Sequence, residues 1–200
     1  VIYDNTNTTD YIVGLPVDIK VYGSNGTLLR HRSGDYDDLG QLKELYQYYD
    51  SKNYSVSTLK YDSYGNINSV ADSRGATLSY TYDKDENMFI NEVSQSGAGT
   101  DTYTSFIDYD VPTQTKILET DCNGNSLRYE YDGWQRIAKV WTGYDTGAAP
   151  AVSYEYHAPA KDAGGRHSLW HAVTSNKVTF DAGDDSVIQT VVQTDGLGRA

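Results

Sequence analysis

Large apolar or aromatic side chains alternate with polar ones in short stretches, as in Leu78-Ser79-Tyr80-Thr81-Tyr82 and Leu127-Arg128-Tyr129-Glu130-Tyr131. Period-two alternation keeps each Tyr-x-Tyr pair on one face of a strand. Such stretches are bounded by Asp and Gly. Asp72-Ser73-Arg74-Gly75 and Asp121-Cys122-Asn123-Gly124 join an Asp, whose carboxylate can bond the amides ahead of it, to a residue free to take positive φ. The pattern predicts strand, turn and strand from Tyr61 to Asp83, with Asp72 to Gly75 as the turn and helix scarce throughout. Gln41 to Tyr49 has helical propensity, but turn signals bracket it, so it is predicted as strand. Gly143 to Gly165 reads as irregular loops around a strand at Val152 to Tyr156.

The pattern repeats. Eight Tyr-Asp dipeptides begin at Tyr3, Tyr36, Tyr49, Tyr61, Tyr82, Tyr109, Tyr131 and Tyr144, where chance would place about two. The clearest unit runs from Tyr61-Asp62-Ser63-Tyr64-Gly65-Asn66-Ile67 through the Asp72 turn to Tyr80-Thr81-Tyr82-Asp83, a step of 21 residues from Tyr61 to Tyr82. A second copy lies 49 residues on, from Asp121 and Gly124 to Tyr129, Tyr131 and Asp132. It continues into Gly133-Trp134-Gln135-Arg136-Ile137. Partial copies are Tyr36-Asp37-Asp38-Leu39-Gly40-Gln41-Leu42 and Asp195-Gly196-Leu197-Gly198-Arg199. One hairpin cannot bury its own face, so stability must come from neighbours.

Composition agrees with strands and changes one inference. Leu, Ile, Val and Phe supply only 39 of 200 residues, a level at which high net charge signals disorder. Nineteen Tyr and only four Pro reverse that, because Tyr rings bury their faces and keep the hydroxyl wet. A folded chain with a tyrosine-built core is expected. The 22 Asp, 6 Glu and 18 Gly favour turns, and Val, Ile, Thr and Tyr favour strands.

Sixteen basic against 28 acidic residues leave a net charge of −12. Phosphate neutralisation needs clustered Lys and Arg, so the balance argues against a nucleic-acid partner and against an anionic membrane surface. No apolar run approaches transmembrane length and no leader opens the chain, which predicts a soluble mature or excised fragment without direct membrane insertion. Cys122 is the only cysteine, which excludes an intrachain disulfide and a paired-cysteine metal site. Asn7, Asn25 and Asn53 begin N-x-Ser/Thr tripeptides that a eukaryotic secretory path could glycosylate.

The chain lacks nucleophile-elbow, phosphate-loop and zinc-protease motifs. Its many acids are read as turn chemistry, with no catalytic residues and no cofactor. His167 and His171, four apart with Asp162 upstream, are the best metal candidates. They are read instead as a solvated loop pair beside Trp170 as a core anchor, with no metal. Asp83-Lys84-Asp85-Glu86-Asn87 imitates the start of a calcium loop, but Met88 stands where Gly is needed and Ser94 where the bidentate Glu belongs. Exposed Tyr with Trp134, Trp141 and Trp170 could stack on sugar rings, which makes a carbohydrate-binding or adhesion module the alternative function.

The sequence resembles the RHS, or YD-repeat, family, whose unit reads approximately Tyr-Asp-x-x-Gly-Arg-Leu, then Asp-x-x-Gly, then Tyr-x-Tyr-Asp. Tyr61 to Asp83 fits almost throughout, with Asn66-Ile67 in place of Arg-Leu. Gln135 replaces the Gly before Arg136-Ile137, and no Gly follows Asp83, so a longer loop is expected there. The structural repeat residues carried over are Tyr61, Asp62, Gly65, Asp72, Gly75, Tyr80, Tyr82, Asp83, Asp121, Gly124, Tyr129, Tyr131 and Asp132. Gly14-Leu15-Pro16-Val17 and Asn25-Gly26-Thr27-Leu28 are similar to the stretch leading into the repeats of large bacterial RHS and toxin-complex proteins.

The resemblance implies an all-β fold: an array of antiparallel hairpins forming an open, curved section of an RHS/YD-repeat shell. It divides the chain into a leading segment (1–33), a YD-repeat core (34–142) and irregular loops with further repeat strands (143–200) ending mid-repeat. It implies a non-catalytic wall of a secreted or cell-surface protein. Its partners would be neighbouring repeats of the parent protein and an enclosed toxin or effector domain, with glycans as partners in the alternative reading. A sheet cut mid-repeat leaves an unpaired edge, so an edge paired to another copy or covered by a terminal segment is expected, with self-association rising with salt.

Overall fold

The computed structural model describes residues 1–97, 99, 101–145, 149–161, 163–165, 167–179 and 186–195. Among them lie fifteen β-strands and no helix. The chain forms two compact units, Val1–Thr104 and Ser105–Ala200. The first holds β1 (Ile2–Asp4), β2 (Leu15–Tyr22), β3 (Leu28–Tyr36), β4 (Leu42–Tyr48), β5 (Tyr54–Tyr61), β6 (Ile67–Asp72), β7 (Thr77–Tyr82) and β8 (Ile90–Ser96). Each of these strands pairs antiparallel with the next in chain order. β9 (Thr102–Asp110) begins at the end of that unit and runs into the second. There it is followed by β10 (Thr115–Thr120), β11 (Ser126–Tyr131), β12 (Ile137–Thr142), β13 (Val152–His157), β14 (Trp170–Lys177) and β15 (Val187–Thr194). From β9 onward the pairing is again antiparallel and in chain order. The all-β hairpin array expected from the alternation is the fold, and Gln41 to Tyr49 supplies strand β4.

Turn chemistry explains why the chain reverses where it does. In the Asp72 turn the Gly75 amide donates to the Asp72 carbonyl at 3.1 Å and the Asp72 amide to the Ala76 carbonyl at 2.8 Å. Gly75 takes φ +85°, which closes a three-residue hairpin loop of a type I turn followed by a left-handed residue. The Asp37, Asp62 and Asp121 turns repeat both bonds, with positive φ at Gly40, Gly65 and Gly124.

Among the described residues a conventional core is missing: only Trp141 and Ala151 are buried as whole residues, and the enclosed Asp145 side chain (0% exposed) lies 3.8 Å from the Lys177 ammonium. This corrects the expected tyrosine-built core. A hairpin array has no second layer to cover its faces, so most repeat rings remain half-buried. Trp170, expected as a core anchor, is 52% exposed, whereas Trp141 is 6% exposed beneath the Arg128 guanidinium, whose carbon lies 3.8 Å from the indole centroid.

Candidate functional site

The chemistry recurs at the strand ends. β-Bulges come first. Tyr61 pairs with Ile67 and Lys60 with Ser69, so Asn68 is an extra residue on β6. The same skip follows Leu42 on β4, Lys116 on β10, Ile137 on β12 and Pro16 on β2. A bulge bends its strand and interrupts pairing. On the other side of the bulged strand the ladder accordingly stops two residues short. The β6–β7 pairing ends at Ser69↔Ser79, leaving Ile67 beyond it. Leu42, Lys116, Ile137 and Pro16 lie beyond the ends of the β4–β5, β10–β11, β12–β13 and β2–β3 ladders in the same way.

The carbonyl left beyond each ladder end needs a donor, and a tyrosine hydroxyl from the following strand supplies it. Tyr36 donates to Pro16 at 3.3 Å, Tyr61 to Leu42 at 2.9 Å and Tyr82 to Ile67 at 2.8 Å. Tyr131 donates to Lys116 at 2.6 Å and Tyr156 to Ile137 at 3.0 Å. Each bond ties one hairpin to the next where the strands splay. Tyr80, the other ring of its Tyr-x-Tyr pair, is half-buried. Its counterpart Tyr129 donates to Glu119, which Lys116 also meets at 2.5 Å. The lysine and the tyrosine hydroxyl hold the Glu119 carboxyl below its ordinary range. Sequence reading missed this cluster, because Tyr129 joins the β10 pair Lys116–Glu119 only across the β10–β11 ladder.

The aspartates organise the turns. Asp72 Oδ1 accepts the amides of Arg74 and Ala76 at 2.8 and 2.9 Å. Asp62, Asp121 and Asp132 accept the equivalent pairs at 2.8–2.9 Å. Donation by the Arg74 amide holds Asp72 below the ordinary carboxylate range, and the Asn125 side chain does so for Asp121. After Asp83 the loop is longer, as the missing Gly implied. Asp83 accepts four amides, from Glu86, Asn87, Met88 and Phe89, at 2.6–3.2 Å. Led by the Phe89 amide, they pull its pKa down to about 2. In the Asp132 turn Gln135 stands in the glycine position with φ +60°.

The remaining candidates separate. His171 lies on β14 and stacks on His157 of β13, with centroids 4.5 Å apart, while His167 bridges to Lys161. Asp162 lies outside the described residues, as does most of the partial repeat at Asp195 to Arg199. Among the described residues no cluster of three His, Cys, Asp or Glu side chains could hold a metal, and Cys122 is exposed. Trp134 projects from its turn at 83% exposure. An open groove of about 560 Å³ is lined by Phe106, Leu127, Tyr144 and Glu119 among others. No helix is long and apolar enough to cross a membrane among the described residues.

No family model matches the chain, and no curated protein matches it. Solved structures do. A chain in a crystal structure of TcdB2-TccC3-Cdc42 superposes with a TM-score of 0.55 at 12% identity, over 96% of this chain and 11% of the matched chain. A chain in a Photorhabdus luminescens Tc holotoxin pore with a TccC3 mutation gives 0.50 at 12% identity, over 92% and 11%. The likeness is one of fold and supports an RHS-like fold. The chain spans about a ninth of the length of the chains it matches.

Proposed function

We propose that the chain is a non-catalytic structural section of an RHS/YD-repeat shell that encloses or presents a toxin or effector domain, in a secreted or surface-exposed protein. The observation that carries this reading is the recurrent tyrosine bond. Five hydroxyls tie successive hairpins together, and among the described residues almost no whole residue is buried. Such a chain gains its stability from neighbouring repeats, as a wall section would. The fold likeness to short stretches of much longer Tc toxin chains supports the same reading. The Tyr, Asp and Gly residues of the repeat then serve architecture: the aspartates make the turns, the glycines permit them and the tyrosines close the splayed ends. The wall's partners are the adjoining repeats and an enclosed domain.

Single-particle imaging of the full-length gene product containing these 200 residues tests the reading. A hollow β shell with this segment in its wall is expected, and a compact enzyme domain packed on the segment would overturn it. The competing reading, a glycan-binding or adhesion module, is favoured by the exposure of Trp134 and Trp170. A glycan array separates the two. A specific hit lost on Trp134→Ala or Trp170→Ala would promote the competing reading, whereas the wall reading expects none.

A further inference from the structure

We propose that the turns at the tyrosine-bonded strand ends of the first unit form a docking ridge for a polypeptide segment whose apolar side chains are flanked by Lys or Arg. Six turns of the chain share the same two backbone bonds. Those at Asp37, Asp62 and Asp132 follow a bonded tyrosine, and those at Gly23, Asp72 and Asp121 lie at the opposite strand ends. In each, the tip is the residue ahead of the positive-φ position. At the tyrosine-bonded ends the tips are Leu39, Tyr64 and Trp134, which are 76%, 70% and 83% exposed. At the opposite ends they are Asn25, Arg74 and Asn123. This position of a type I turn takes most residues, so turn geometry does not call for a large apolar side chain there. Tyr49 is exposed at an opposite end, but it precedes its turn, whose tip is Ser51-Lys52.

In the first unit the tips form a continuous ridge. Successive turns at one rim stand roughly 10 Å apart, two strand spacings, and exposed Tyr11 and Met88 extend the row on either side of Leu39 and Tyr64. Neighbouring loops lean on one another. Asn66 Nδ2 donates to the Asn87 carbonyl at 2.7 Å, and a Cβ at Gly40 would lie 2.8 Å from Ile12 Cγ2. Charge then selects the occupant. The loops at 5–14, 37–41, 62–66 and 83–89 hold seven acidic residues against Lys84 alone, whereas the turns at 23–27, 50–53 and 72–76 hold two acids and two bases. The exposed carboxylates of Asp38, Asp85 and Glu86 make no ion pair among the described residues. Aromatic residues and Met are enriched where proteins meet, and an apolar ridge edged with carboxylates complements apolar side chains set between cations. The same carboxylates repel a nucleic acid or an anionic bilayer. The inference rests on the chemistry of the rim and not on the shell reading.

A labelled peptide of alternating Leu and Lys, titrated into the 200-residue chain, tests this by fluorescence anisotropy and by amide chemical shifts. Saturable binding is expected, with shifts in the loops at 37–41, 62–66 and 83–89 and none in the turns at 23–27, 50–53 and 72–76. The Leu39→Ser/Tyr64→Ser/Met88→Ser variant keeps every charge, and the Asp38→Asn/Asp85→Asn/Glu86→Gln variant keeps every apolar tip. Each should weaken binding about tenfold or more, as loss of an interface's anchors or of its charge complementarity does. Because the altered side chains are exposed, circular dichroism of both variants should match the parent. A counterpart peptide of Leu and Glu should not bind. No saturable binding, shifts at the opposite turns, equal binding of the Leu-Glu peptide, or a tip variant that binds as the parent does would overturn the proposal. Recovery of the chain on phosphatidylcholine vesicles through the same tips would overturn it too, since the partner would then be a lipid surface.

Discussion

The Tyr82 hydroxyl donates to the Ile67 carbonyl at 2.8 Å, across the point where β6 and β7 have ceased to pair. The bond depends on an event one hairpin earlier. The Asp62 turn and the extra residue Asn68 bend β6 away from β7, and the exposed carbonyl finds the ring that ends the next Tyr-x-Tyr. Turn, bulge and tyrosine are therefore one device spread over roughly twenty residues, the span of the sequence repeat.

Backbone strain in one copy gives the first prediction. Gln135 holds φ +60° where Gly65, Gly75 and Gly124 hold +85° to +89°, and a left-handed conformation costs a residue with a Cβ about 1–2 kcal/mol. Gln135→Gly is expected to raise unfolding free energy by about 1 kcal/mol, less the entropy that glycine adds to the unfolded chain. Gly75→Ala should lower it by a similar amount, although its Cβ would meet nothing within 4 Å. Urea unfolding of the two variants checks both signs.

Acid should loosen the turns. Asp83 has its pKa lowered to about 2, first by the Phe89 amide, and Asp50, Asp72 and Asp121 are lowered as well, chiefly by Asn53, by the Arg74 amide and by Asn125. A carboxyl with a folded pKa below its unfolded value binds more protons when unfolded, so its contribution is complete above the unfolded value and fades as pH falls through the folded one. Stability should be level above about pH 4 and decline toward pH 2. Asp83→Asn should flatten the lower part of that decline, as followed by circular dichroism in an acid titration.

Alkali should act on the tyrosines with the opposite sign. The Glu44 carboxylate, 2.5 Å from the Tyr46 hydroxyl, pushes that phenol up to about 12, and burial raises Tyr61, Tyr82 and Tyr131. A raised folded pKa contributes stability below the ordinary phenol value near 10 and loses it as pH climbs through the folded value. Ultraviolet titration should show a late phase of tyrosinate formation, above the ordinary phenol range. Tyr46→Phe should remove amplitude from that phase.

Much of this was legible in the residues, but not all of it for the right reason. Asp-x-x-Gly located the Asp72 and Asp121 turns because a carboxylate and a positive-φ residue act within five positions of one another. Counting Tyr-Asp dipeptides was less discriminating. Tyr49 and Tyr144 belong to such dipeptides yet lie 74% and 68% exposed on turns at the opposite strand ends. Tyr156 makes the inter-hairpin bond although His157 follows it. The hydroxyl's task is set by a ladder end on the preceding strand, and no local motif records where a ladder stops. The cross-strand stack of His157 on His171 was invisible for the same reason, since register joins residues 14 positions apart. Trp141 is buried and Trp170 is not because cover in a single sheet depends on side chains reaching across strands, such as Arg128 over Trp141.

The most direct test of the tyrosine device removes one hydroxyl at a time. Tyr61→Phe and Tyr82→Phe each keep the ring and leave the Leu42 or Ile67 carbonyl without its donor. Each should lower the free energy of urea unfolding by about 1 kcal/mol. Tyr64→Phe, at a turn tip and 70% exposed, should stay within about 0.5 kcal/mol of the parent chain. Equal, negligible effects at all three positions would contradict the account.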